Sequence, residues 1–117
     1  MNPNYIRHEE TTVSENIVFF LTRLSSKEEQ EAYESWVRET DVPTARGLPG
    51  VNNYRVVRLE GPVMDGVSSP PYDYIEIIEI SDLETYQNGL SGVDPEFLAQ
   101  FTGFIGEFES VHGCVVE

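Results

Sequence analysis

Two short stretches, Ile17 to Leu24 (IVFFLTRL) and Tyr72 to Ile80 (YDYIEIIEI), are apolar on both of their alternating faces. In the first, Ile17, Phe19 and Leu21 oppose Val18, Phe20 and Leu24. In the second, Ile75 and Ile77 oppose Ile78 and Ile80. Short runs rich in β-branched and aromatic residues predict strands. A sheet wetted on one side alternates apolar and polar residues, so a sheet built on these strands must be covered on both faces. Helices can cover one. With one copy of the pattern per chain, the other face is expected to meet a second subunit, as a homodimer.

The segments between the strands supply the helices. Ser26 with Glu29 three residues later is a capping-box pattern, and Glu28, Glu29 and Glu31 suit a positive helix N-terminus. A helix is predicted from Lys27 to about Thr40, with Tyr33, Trp36 and Val37 on one stripe. Pro43 is expected to end it, because proline disfavours the helical region for the residue before it. Asp41 to Gly50 (DVPTARGLPG) then reads as a structured connection. Val51 to Leu59 is the second strand, and Glu60 to Pro71, rich in Gly, Pro and Ser, a long loop that is either a lid or a mobile tip.

Ser81 with Glu84 repeats the capping pattern and starts a short helix through Asn88. Asp94 followed by Pro95 opens another. There Phe97, Leu98, Phe101, Phe104, Ile105 and Phe108 form the clearest helical stripe in the chain. Ser110 to Val116 is the last strand. The order strand, helix, strand, strand, helix, strand is the split βαβ arrangement of a ferredoxin-like α+β fold with a four-stranded antiparallel sheet. Residues 16–117 read as one domain, and residues 1–15, polar and mixed in charge, as an N-terminal arm.

Seven basic against twenty-one acidic side chains give a formal charge of -14. Nucleic acid and anionic membrane surfaces both need clustered Lys and Arg, so neither is an expected partner. Leu, Ile, Val and Phe make up more than a quarter of the 117 residues, enough for a core. Cys114 is the only cysteine, so no intrachain disulfide is possible. No signal-peptide-like or membrane-length apolar run occurs, and a soluble cytoplasmic protein is expected. Four of the seven bases, Arg38, Arg46, Arg55 and Arg58, fall in residues 38–58, which suggests a locally basic pocket inside an acidic shell.

Motifs with strong mechanical content are absent: no phosphate loop, dinucleotide fingerprint, nucleophile elbow or zinc-type His/Cys spacing. His8 and His112 are too few and too far apart for a convincing metal site, and no metal or other cofactor is expected. The remaining candidates are polar residues on elements that should be buried. His112 in the last strand has an ordinary pKa suited to proton transfer at neutral pH, and is otherwise a core histidine satisfied by one hydrogen bond. Glu76 is either a desolvated acid/base or the partner of Arg55 or Arg58 on the neighbouring strand. Asp41 and Arg46 flank Pro43, the first able to form a turn, the second able to lie on the surface. Tyr33 and Trp36 belong to the core or line a cavity.

The string W-x-x-x-x-D-V-P-T-A-R-x-L-P-G-V-x-x-Y-R, Trp36 to Arg55, resembles the dimeric α+β barrel superfamily. Within it the chain is most similar to the REDY-like family associated with bacterial prodiginine biosynthesis. The likeness covers most of the chain from Asn16 onward. It implies a homodimer of face-to-face sheets, a pocket between each sheet and its helices, and cofactor-free chemistry on small aromatic intermediates. Barrels of the EthD kind tend to carry a histidine near the position of Asp41, so a histidine mechanism does not transfer. Residues and resemblance together favour cyclisation, condensation or dehydration of a small aromatic or heterocyclic, pyrrole- or indole-type substrate. Asp41 and His112 are the acid/base candidates and Arg46 the oxyanion stabiliser, with Tyr33, Trp36, Tyr74, Glu76 and Phe101 against the substrate. The competing expectations are a non-catalytic accessory protein that binds an unstable intermediate, and a cofactor-free monooxygenase.

Overall fold

The computed structural model describes residues 14–117; the expected arm up to residue 13, with His8, lies outside the described residues. Four antiparallel strands, β1 (Asn16–Leu24), β2 (Val51–Arg58), β3 (Tyr74–Ile80) and β4 (Ile105–Cys114), form one sheet in the order β2-β3-β1-β4. The fold is the expected ferredoxin-like α+β arrangement. Register sorts the side chains: Val18 sits between Ile78 and His112, Phe20 between Glu76 and Ser110, and Thr22 between Tyr74 and Phe108. These positions face the helices. Ile17, Phe19, Leu21, Ile75 and Ile77 point the other way and stay half-buried, while Val57, Val111 and Val115 are exposed there.

The first helix differs from the expectation. It is composite, and we call residues 27–46 together α1: a 3-10 turn Lys27–Glu29, an α segment Gln30–Trp36, a π turn Val37–Asp41 and a closing α segment Val42–Arg46. Ser26 caps it through its hydroxyl, which accepts from Glu28 N at 3.3 Å. Pro43 does not end the helix. The wider π turn ahead of it relieves the crowding that a proline ring imposes on a regular α-helix. Val42, the residue before the proline, keeps helical angles, and the chain leaves the helix only at Gly47.

Two more helices complete the layer, α2 (Leu83–Ser91) and α3 (Pro95–Phe104). The cap of α2 is Asp82, whose carboxylate accepts from Thr85 N at 3.0 Å, one residue past the expected Ser81. The aromatic stripe is split. Helix α3 stops at Phe104, so Ile105 and Phe108 belong to β4, which starts five residues earlier than expected. The reason is a close crossing with the end of β1. Ser25 N donates to the Phe104 carbonyl at 2.8 Å, and Leu24 pairs with Ile105. A Cβ on Gly106 would lie 3.3 Å from Ser25 Cα, so the glycine permits the approach.

The loop between β2 and β3 is tied at its return end. Arg23 donates twice to the Pro71 carbonyl, at 3.0 and 2.7 Å, and Asp73 accepts from Leu24 N and Lys27 Nζ. That anchorage delays β3 to Tyr74, two residues later than expected. Val63, Met64 and Val67 at the loop's tip are exposed.

Gly50 opens β2 with φ of +82°, and its carbonyl accepts from Ser81 N at 2.8 Å. A Cβ there would sit 3.2 Å from Tyr86 N and 3.1 Å from Thr85 Cγ2. Strain and crowding add, so Gly50→Ala should cost roughly 1–3 kcal/mol. A lower urea midpoint at unchanged slope is the expected result, and an unchanged midpoint would contradict this packing.

Candidate functional site

Between the sheet and α1 to α3 lies a cavity of about 340 Å³. That is within the range of small-molecule sites. Its walls are Phe20 and Ile78 from the sheet, Tyr86 and Leu90 from α2, Phe97 and Phe101 from α3, and Phe108 from β4. Two carboxyl groups, Asp41 and Glu76, interrupt this apolar lining, together with Tyr54. Asp41 is 3% exposed and Glu76 5%.

Three elements bring them together. The π turn of α1 carries Asp41, the centre of β3 carries Glu76, and β2 carries Tyr54. The Tyr54 hydroxyl donates to Asp41 Oδ2 at 2.7 Å. Burial pushes Asp41 up to about 6, partly offset by that hydrogen bond. Burial pushes Glu76 further, to about 8; the charge of Asp41 adds to the rise, and the nearby Tyr54 hydroxyl opposes it. Among the described residues, Glu76 Oε2, Tyr33 OH and Thr22 Oγ1 are buried without a hydrogen-bond partner. Two carboxyls whose environments separate their proton affinities can divide the roles of proton acceptor and proton donor. At neutral pH these shifts favour an ionised Asp41 beside a protonated Glu76.

Of the residues expected at the site, the cavity collects Asp41, Glu76 and Phe101. Tyr33 is fully buried beside it, 4.8 Å from the Tyr74 ring and 5.5 Å from Phe104. Trp36 braces the wall from behind: it stacks on Phe97 at 5.4 Å, and its Nε1 donates to Gln100 Oε1 at 2.7 Å. Tyr74 lies elsewhere, donating to Glu34 Oε2 at 2.8 Å, an oxygen that also accepts from Arg58.

Arg46 and His112 are not in the cavity. The Arg46 guanidinium donates to the Tyr54 carbonyl at 3.2 and 3.3 Å, which clamps the end of α1 to β2. His112 is exposed on the edge strand, its Nε2 3.3 Å from Asn16 Oδ1, and lines a separate cleft beside α2. The expected basic pocket does not coincide with this cavity: Arg38 and Arg58 line a separate cleft, shared with Glu34 and Tyr74. Arg55 projects to the far face of the sheet, and Arg58 is engaged by Glu34 and Glu60, so neither pairs with Glu76. Among the described residues, the cavity's ionisable lining is acidic or phenolic. Tyr54 is the member the sequence did not mark, because a tyrosine in a strand has the same pattern whether its hydroxyl is buried or wet. Among the described residues, no group of three or more His, Cys, Asp or Glu is placed to hold a metal ion. No helix among them is long and apolar enough to cross a membrane.

Residues 16–116 match the family described as REDY-like protein HapK. The chain belongs to that family. Its structure is similar to HapK from Hahella chejuensis, with a TM-score of 0.68 and 26% identity over 84% of this chain and 90% of that one. An EthD family protein from Bacillus halodurans shares the fold at a TM-score of 0.57 and 19% identity, covering 84% of this chain and 95% of that one. So does the heme degrader MhuD from Mycobacterium tuberculosis, at 0.57 and 13% identity, covering 87% and 96%. No curated protein matches the chain. The expected REDY-like membership is thus shown, on a fold that some enzymes share.

The raised value of Glu76 has a consequence for stability. Its contribution is fully present below its ordinary value of 4.5 and is lost as pH rises through about 8. Glu76→Gln removes this loss. The melting temperature of the variant relative to the parent should rise by on the order of 10 °C from pH 5 to pH 9. A difference independent of pH would show that Glu76 titrates normally.

Proposed function

We propose that the protein is a cofactor-independent enzyme of secondary metabolism. It catalyses cyclisation, condensation or dehydration of a small aromatic, pyrrole- or indole-type intermediate by acid/base catalysis, in the cytoplasm. The observation that carries this reading is the pair of buried carboxyls, Asp41 and Glu76, in an aromatic-walled cavity. Asp41 is the base and Glu76 the acid, so Glu76 stands in place of His112 as the partner of Asp41 in the acid/base pair. Tyr54 holds Asp41 in place. Phe101, with Phe97 and Phe108, supplies flat walls for a planar ring. Membership of the REDY-like family supports the substrate class.

We further propose that the working unit is a homodimer. The face of the sheet away from the helices carries Ile17, Phe19, Leu21, Ile75 and Ile77 without a covering layer among the described residues. A contiguous apolar surface of this kind calls for a partner. Two structures of similar fold, each 13% identical, are described as dimeric ferredoxin-like proteins.

Purified protein should accelerate, or change the product ratio of, cyclisable pyrrole or indole intermediates without added cofactor. Asp41→Asn and Glu76→Gln should each lower that rate by about 10²-fold. Product formation that is insensitive to both changes would favour the accessory-protein reading, and oxygen consumption during turnover the monooxygenase.

Light scattering on a sizing column should give twice the 13.3 kDa chain mass. Ile77→Asp should shift it to the monomer. A native protein that elutes as a monomer would remove the dimer.

A further inference from the structure

The buried residues of α1 recur at every fourth position: Tyr33, Val37, Asp41 and Ala45. A regular α-helix cannot keep such a series in line. Each four-residue step overshoots a full turn by about 40°, so three steps would swing Ala45 about 120° from Tyr33. The π turn Val37–Asp41, closed by Val42 N–H donating to the Val37 carbonyl, takes more residues per turn and cancels the drift.

Pro43 stands directly after this turn, where a regular helix would need an N–H for the Glu39 carbonyl. It has none to give, and its ring would press on that carbonyl. The wider winding removes both conflicts. We propose that Pro43 is a positioning residue: by favouring the π turn ahead of it, it rotates Asp41 into the cavity and onto the Tyr54 hydroxyl. Single π turns inside α-helices are frequent at functional sites, and here the device acts on one carboxylate.

The groups that face Asp41 are Tyr54 from β2, Glu76 from β3, Tyr33 from its own helix and Tyr86 from α2. Among the described residues, no basic side chain lines the cavity. Asp41 therefore reports its own rotation. Turned outward it loses its burial, and its titration midpoint must fall.

Alanine is the best helix former and offers the missing N–H, so Pro43→Ala should remain folded. Carboxyl-carbon NMR of the full chain would follow Asp41, assigned by its loss in Asp41→Asn. In Pro43→Ala the midpoint should fall from about 6 toward 3.8. In Tyr54→Phe, which leaves the π turn but removes the donor, it should rise instead. A purely structural role for Pro43 would move the melting temperature and leave the Asp41 midpoint where it is, and that result would overturn the proposal. The kinetic arm rests on the proposed chemistry: Pro43→Ala should lower kcat more than it changes KM. Absence of any turnover in the native protein would count against that chemistry, whereas only a stationary Asp41 midpoint overturns the positioning role.

Discussion

The hydrogen bond from Tyr54 to Asp41 crosses from the sheet to the helical layer inside the core, at 2.7 Å. It lies at a seam. One apolar cluster gathers Val18, Ala45, Tyr54, Ile78, Ile80 and Tyr86; another gathers Leu24, Tyr33, Val37, Tyr74 and Ile105. Val42 and Val56 pack against both. Asp41 precedes the first of these two valines, and Glu76 pairs with the second across the sheet. The polar pair therefore occupies the junction where the two halves of the core meet. An ionised carboxylate here without a partner would be expensive, so one carboxyl takes a phenolic donor and the other keeps its proton.

Among the described residues, that arrangement leaves buried polar atoms unsatisfied: Thr22 Oγ1, Tyr33 OH and Glu76 Oε2. Each such group costs about 1–3 kcal/mol in a core. A chain selected only for stability would place apolar side chains at these positions. Their retention around an apolar cavity fits a site that uses hydrogen-bonding capacity for something other than folding. Rigidity comes from the aromatic layer behind it, where Trp36 stacks on Phe97 and Tyr33 meets the edge of Phe104.

Much of the fold was legible because strands β1 and β3 carry a period-two pattern with few competing signals. The failures occurred where two local rules coincided. Pro43 is a strong breaker, yet the helix passes through it because a π turn makes room, and the four-residue spacing that goes with the turn is masked in the apolar stripe because one of its positions is the charged Asp41. Phe104, Ile105 and Phe108 fit a helical stripe, but the contact of Ser25 with Phe104 and the small Gly106 turn the chain into β4 early. Ser81 and Asp82 can both cap α2, and the geometry chose the second. The site was half legible. Asp41 and Glu76 were identifiable as polar residues in apolar surroundings, but their pairing was not, since 35 positions separate them.

The sequence by itself determined the order of elements, the acidic balance and the need to cover both faces of the sheet, because these follow from local periodicity and from composition. Only the tertiary structure decided which polar residues meet. Arg46 was drawn to the Tyr54 carbonyl and His112 was left on an exposed edge strand. Glu76 was brought to Asp41 by strand register and by the winding of one helical turn. The register is a long-range choice, made by packing between elements, that no window of neighbouring residues encodes; the winding is local, and it matters to the site only once the sheet has brought Glu76 and Tyr54 against it.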